Sequence, residues 1–82
     1  MDDWVSELAA VLGVDPLTAE DIPELLSTAR DVAHGVERRV TPLASFLMGA
    51  AVQSRVSAGA TRAEATAEVL GLVRACIPQA PV

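Results

Sequence analysis

The sequence predicts an all-α protein, a four-helix bundle or a related array of four helices. Three observations carry this prediction. Alanine is abundant, Gly and Pro divide the chain into four stretches, and the apolar residues of each stretch recur every three or four positions. No stretch alternates between apolar and polar residues as a half-buried strand does. The expected elements are one helical domain over 1–82, helices at roughly 3–12, 22–39, 42–56 and 62–77, and a tail at 78–82.

The first helix follows an acidic start and ends before Gly13, a residue that suits the left-handed position just past a helix end. Its apolar residues share one face, which we expect to enter the core with Trp4 as its anchor. These residues are Trp4, Val5, Leu8, Val11 and Leu12.

The second helix starts at Thr18 or at Asp21, and Asp21 with Glu24 resembles a capping box. Pro23 must lie in its first turn, because a proline deeper inside would remove a hydrogen bond. Gly35 weakens the helix by about 1 kcal/mol relative to Ala. The expected core stripe consists of Ile22, Leu25, Leu26, Ala29, Val32, Ala33 and Val36.

Threonines are predicted to cap the last two helices. Thr41 precedes Pro42, which suits the first helical position, and Thr61 with Glu64 forms a good capping-box match. The core face of the third helix is expected to hold Leu43, Phe46, Leu47 and Ala50. That of the fourth is expected to hold Val69, Leu70, Val73, Cys76 and Ile77.

The composition argues against several classes of function. A formal net charge of −5, with arginine but no lysine, disfavours binding to nucleic acid or to anionic membranes. One Cys and one His fall short of a structural zinc site, so we expect neither a metal nor a cofactor. No apolar run is long enough to cross a bilayer, and the start lacks the basic region of a signal peptide. The expected location is the cytoplasm.

The polar face of the second helix is the densest charged cluster. It is either a solvated face, a docking face for a partner, or an anion site. The anion reading has one physical argument, since arginines just before the third helix would lie near its free N–H groups. Its residues would be Arg30, His34, Arg38, Arg39 and Thr41. His34 with Asp31 could act in acid–base chemistry, but no second catalytic partner accompanies them, so we assign no catalytic residue.

The third helix also carries apolar residues on the side opposite Leu43, Phe46 and Leu47. A helix that is apolar on both sides is either central to the fold or part of an interface. Internal burial and an oligomer contact both remain open for this side. The candidate interface residues are Met48, Gly49, Val52 and Val56.

Two parts of the sequence resemble a small helical domain family of unknown function found in actinobacteria. They are the run ARDVAHGVERR at 29–39 with Thr41-Pro42-Leu43 after it, and the opening Trp4-Val5 with Leu12-Gly13-Val14. Members of that family occur alone or fused to the C-terminal end of molybdenum-cofactor guanylyltransferase-type nucleotidyltransferases. The resemblance implies an accessory module of molybdopterin-guanine dinucleotide synthesis and assigns no catalytic residue. The chain lacks a Gly-rich nucleotide-binding loop, so it is not itself expected to be the guanylyltransferase.

Together these observations predict a non-catalytic interaction or accessory domain. Its partner would be a second copy of the chain or a molybdenum-cofactor nucleotidyltransferase. The alternative is a site for an anionic cofactor or nucleotide at the cluster of Arg38, Arg39 and His34 near the start of the third helix.

Overall fold

The computed structural model describes residues 2–78, which hold four α-helices, one short 3₁₀ turn and no strand. The all-α prediction is confirmed. None of the helices in this part of the chain is long and apolar enough to span a bilayer. The predicted tail covers 78–82, and everything in it after Pro78 lies outside the described residues. The elements are α1 (Asp2–Leu12), α2 (Asp21–Gly35), the 3₁₀ turn (Arg38–Val40), α3 (Thr41–Ser57) and α4 (Arg62–Cys76).

Two helices end at a glycine in the left-handed region. Gly13 has φ of 72°, and the N–H of Val14 donates to the carbonyl of Ala9 at 3.0 Å, as in a Schellman motif. Gly59 closes α3 in the same way, with φ of 114°. These closures set the direction in which the chain leaves each helix, and the sequence prediction for Gly13 is confirmed.

The starts of α2 and α4 are both held by reciprocal hydrogen bonds. At α4 the predicted capping box is present, because the Glu64 N–H donates to the Thr61 hydroxyl and the Thr61 N–H donates to the Glu64 carboxylate. The hydrogen bond from the Thr61 backbone N–H to the carboxylate, and after it the Thr61 hydroxyl, lower the pKa of Glu64 below its ordinary value. At α2 the reciprocal pair is Thr18 and Asp21, not the predicted Asp21 and Glu24.

Helix α2 is shorter than predicted, because it ends at Gly35 rather than near Arg39. A Cβ placed on Gly35 would overlap the Cγ2 of Ile77, so the missing side chain lets the end of α4 approach α2 closely. Glu37 is then extended, and the 3₁₀ turn leads directly into α3. Thr41 is accordingly a helical residue and not the predicted N-cap.

The core forms where α3 meets α4, the most extensive helix pair of the fold. Met48, Val69 and Leu70 are its buried centre, and Ala44 and Ala51 of α3 pack against it. The predicted core face of α3 is therefore wrong. Small side chains on the inner side let α4 come close, and the larger ones lie outside. The misassigned residues are Leu43, Phe46, Leu47 and Ala50.

Helix α2 covers this core with most of the residues that the sequence predicted, Leu25 among them, and with Thr28, which it did not predict. Thr28 is fully buried, and its hydroxyl donates to the carbonyl of Glu24 at 2.8 Å, so the polar atom has a partner. Val32 is buried as predicted, whereas Leu26 and Val36 are exposed. The true stripe is thus rotated toward Thr28.

Helix α1 stands apart from the other three. Among the described residues, no Cα of α1 lies within 8 Å of a Cα in α2, α3 or α4. Ala9 is buried and Val5 is half-buried, but Trp4 is 62% exposed, so the prediction that Trp4 anchors the core is wrong. The packed body consists of α2, α3 and α4, and α1 projects from it.

Candidate protein-docking surface

The four residues proposed as an interface lie along a groove between α2 and α3. Met48 is only 5% exposed and belongs to the core, so its side chain is buried inside this chain. Val52 and Val56 are half-buried, and Gly49 is exposed with open space beside it. The groove has a volume of about 820 Å³, and Leu70 and Thr66 of α4 also line it. For Met48, burial within the chain is the alternative that the structure favours.

A second apolar surface lies next to this groove, on the side of α3 that faces solvent. Leu43, Phe46 and Leu47 are 64%, 78% and 68% exposed, and we call them the α3 outer face. Their spacing of three and four residues places them together on one side of α3, next to the side that carries Ala44, Met48 and Ala51. The sequence singled out these three residues but assigned them to the core. Three large apolar side chains at this spacing predict burial, but the sequence does not show whether this chain or another molecule covers them.

Arginine is the charged residue nearest in sequence to the α3 outer face. Arg38 and Arg39 form the 3₁₀ turn that enters α3, and both are exposed. The Nε of Arg39 lies 3.2 Å from the Glu37 carboxylate. Residues 41–57 contain no acidic side chain. The N-terminal end of the outer face is therefore bordered by positive charge.

Helix α1 presents a third set of exposed apolar side chains, which we call the α1 stripe. Val11 is 83% exposed and Leu12 is 64% exposed, beside Trp4 at 62% and Leu8 at 38%. These residues recur at helical spacing, so one side of α1 is apolar from end to end. An isolated helix of 11 residues is marginal in water, because most helical stability comes from packing of such a face.

The residues of the predicted anion site lie on α2, on the 3₁₀ turn and at the start of α3. Because α2 ends at Gly35, His34 and Arg38 do not share a helix, and Arg39 pairs with Glu37. Arg30, His34 and Arg38 are exposed.

Two of the first residues of α3 do not offer a free backbone donor to an anion. The Thr41 N–H donates to the carbonyl of Arg38, and Pro42 has no N–H. The Thr41 hydroxyl is buried without a hydrogen-bond partner. Anion binding at this cluster stays a prediction.

Asp31, the suggested partner of His34, interacts with Arg74 of α4 instead. The Nε of Arg74 lies 3.4 Å from the Asp31 carboxylate, and its Nη1 lies 3.5 Å from that of Glu24. Its Nη2 donates to the Ser27 hydroxyl at 3.1 Å. Residues 24, 27 and 31 share one face of a helix, a spacing visible in the sequence. Arg74 lies more than 40 positions away in the chain, so the sequence did not reveal it.

Two further arginines hold the body together. The Nε of Arg55 donates to the Glu68 carboxylate at 2.7 Å, which joins α3 to α4. The Nη1 of Arg62 donates to the carbonyl of Asp15 at 2.7 Å, which ties the α1–α2 connection to the start of α4. Within the described part of the chain, no three His, Cys, Asp or Glu side chains come together as a metal site would require. The charged groups with cross-helix contacts thus serve the fold.

Comparison with known proteins gives one match. No curated protein and no solved structure matches the chain. The sequence model of a family described as a domain of unknown function, DUF6457, matches residues 1–81. This confirms the predicted membership of a family of unknown function, while the association with nucleotidyltransferases stays a prediction. A match over nearly the whole chain means that this protein belongs to the DUF6457 family.

Proposed function

We propose that this chain is a non-catalytic interaction domain that binds another protein through the α3 outer face. One observation carries the proposal: Leu43, Phe46 and Leu47 are each at least 64% exposed on a helix whose other side is the core. Burial of such side chains in a partner contributes about 25 cal/mol for each Å² of apolar surface removed from water.

The position of these side chains favours docking over chance exposure. Single apolar residues on a surface are common, but a contiguous patch of a few hundred Å² more often marks an interaction site. The patch lies on a rigid element, because α3 is held to α4 along its length by the core and by the Arg55–Glu68 pair. A fixed patch loses little conformational entropy when it binds.

The charged residues beside the α3 outer face would orient a bound partner. The exposed arginines of the 3₁₀ turn border one end of it, whereas the whole chain has a net charge of −5. A partner with an apolar helix face and acidic residues near one end fits best, because opposite charges steer the encounter and fix the register. The resemblance described above suggests a molybdenum-cofactor nucleotidyltransferase as partner, and a second copy of the chain is the other candidate.

The test is sedimentation of the chain alone and with the nucleotidyltransferase of the same organism. Phe46→Asp should abolish whichever complex forms, because it would place a charge in the centre of the contact. The matched control is Ala63→Asp, at an exposed position in the first turn of α4, which should leave the complex intact.

The far-ultraviolet circular dichroism of both variants should match that of the parent chain, so that loss of binding is not loss of folding. A chain that stays monomeric and does not bind the enzyme would overturn the proposal. Equal weakening by Phe46→Asp and Ala63→Asp would overturn it as well.

A further inference from the structure

We propose that the partner of the α3 outer face is helix α1 of a second copy of this chain, so that two copies exchange α1 helices across a two-fold axis. This inference rests on the proposed docking function and names its occupant. It follows from three observations: α1 has no partner in its own chain, its charge complements the α3 surface, and the exposed area matches the need of a dimer.

The first observation is that α1 is amphipathic and unpartnered. The α1 stripe is exposed, whereas Ala9 on another side of α1 is buried, and within residues 2–78 no Cα of another helix lies within 8 Å of a Cα of α1. Two contacts hold the connection after α1: the Schellman closure at Gly13 and the Arg62 hydrogen bond to Asp15. The side chains that it would bury are therefore available to another molecule.

The second observation is charge complementarity. Helix α1 contains three acidic residues and no basic one. The exposed Arg38 and Arg39 lie just before the α3 outer face, and α3 contains no acidic residue. Arg39 is paired with Glu37, and Arg55 of α3 is paired with Glu68 of α4. The rim of the neighbouring groove is less suitable, because Asp15 and Asp21 line it beside Arg62. The acidic α1 thus fits the outer face better than it fits the groove.

The third observation is the area of the two surfaces. In a two-fold dimer each copy contributes both its α1 stripe and its α3 outer face, and the contact occurs twice. Taking roughly 150–250 Å² for a large aromatic side chain and somewhat less for an aliphatic one, the exposed parts of these side chains amount to about 800 Å² per copy. A stable interface buries about 800 Å² per partner. The seven residues are Trp4, Leu8, Val11, Leu12, Leu43, Phe46 and Leu47.

Disulfide trapping between separately labelled copies tests this arrangement. In a Cys76→Ser background, the chain with Leu8→Cys is mixed with the chain with Leu47→Cys under mild oxidation. The mixed disulfide should form about tenfold more readily than with Leu26→Cys as partner, because docking raises the effective concentration of one pair only. Leu26 is a matched control, since it is 64% exposed but lies at the groove.

The sole tryptophan gives a second measurement that needs no cysteine. Trp4 is 62% exposed in the single chain, so docking should shift its emission to shorter wavelength as the protein concentration rises. Phe46→Asp should remove the shift, and the control Ala63→Asp should keep it. Sedimentation of the parent chain should show a dimer over the same concentrations.

Three results would overturn the inference. One is a parent chain that is monomeric at all concentrations with no mixed disulfide, and the proposed function would then survive only if the nucleotidyltransferase binds. Another is preferential trapping with Leu26→Cys, which would place α1 in the groove. The third is an intrachain disulfide in a monomeric Leu8→Cys, Leu47→Cys double variant, which would mean that α1 folds back on its own chain.

Discussion

The α3–α4 contact and the outer side of α3 hold apolar side chains of similar size, yet only the first is covered within the chain. Met48, Val69 and Leu70 are each at most 5% exposed, whereas Phe46 and Leu47 are at least 68% exposed. The inner side of α3 is lined by alanines beside Met48, which permit close approach of α4. The difference shows that packing selects the side of a helix that fits a neighbour, and not the side with the largest residues.

The two regions also differ in their polar contacts. The body is crossed by Arg55 to Glu68, by Arg74 to α2, and by Arg62 to the α1–α2 connection. In the described part of the chain, no hydrogen bond or ion pair that joins two helices involves the α3 outer face or the α1 stripe. The cross-helix polar contacts thus lie in the body, and the α3 outer face and the α1 stripe expose apolar side chains.

The largest expected effect separates the two regions directly. Leu70→Ala should lower the free energy of unfolding by about 2–5 kcal/mol, because it leaves a cavity in the core. Leu47→Ala should change it by no more than about 0.5 kcal/mol, because that side chain is mostly in water. Urea unfolding at dilute protein concentration, where any association is absent, measures both. Similar losses for the two variants would remove the distinction.

A pair of glycines sharpens the same contrast. Gly35→Ala should destabilise the chain by about 1–3 kcal/mol, because the new Cβ would overlap Ile77 and force the helix ends apart. Gly49→Ala should stabilise it by up to about 1 kcal/mol, because no atom lies within 4 Å of the new Cβ and Ala favours helix. Thermal unfolding distinguishes the two signs. Gly71→Ala, which also faces open space, is the control and should follow Gly49→Ala.

Much of the fold follows from local chemistry that the sequence displays. The sequence correctly predicts the left-handed glycine after α1, Gly13, and the capping box of Thr61 and Glu64. Both features depend only on residues that are close in sequence. The end of α2 at Gly35 was predicted too late. Gly35 lies in close contact there with Ile77, more than 40 positions away in the chain. Local rules cannot report such a contact.

The sequence predicts which residues of α3 are apolar, but it does not predict which side of the helix faces the core and which faces solvent. The sequence indicated that α3 is apolar on both sides, and this is correct for Phe46 and Met48 alike. The side of α3 that packs on α4 is set by the fit of Ala44 and Ala51 against that helix. The spacing of apolar residues in the sequence does not predict this fit. The same limit applies to Trp4, whose size suggested a core anchor and whose helix has no neighbour in its own chain.

Ionic contacts should matter less than packing, even in the body. Arg74→Gln removes the contacts to Glu24 and Asp31, but Arg74 is 38% exposed, so the loss should be at most about 1 kcal/mol. Arg38→Gln, on the exposed turn, should have no measurable effect. Urea unfolding at low salt and at about 1 M salt checks this, because salt should shrink the Arg74 difference. A loss comparable with that of Leu70→Ala would contradict the ranking.

The smallest effect concerns the charge at the start of α4. Two hydrogen bonds from Thr61 lower the pKa of Glu64, so the ionised carboxylate favours the folded state. This contribution is fully present above the ordinary glutamate pKa of the unfolded state and is lost as the pH falls through the lower folded-state pKa. Glu64→Gln keeps a capping acceptor but cannot titrate, so its small deficit in melting temperature at pH 7 should vanish in acid. Because both proteins share every other carboxyl group, the difference between their melting curves isolates this cap. A deficit that stays constant from pH 7 to about pH 2 would show that the charge of Glu64 does not contribute.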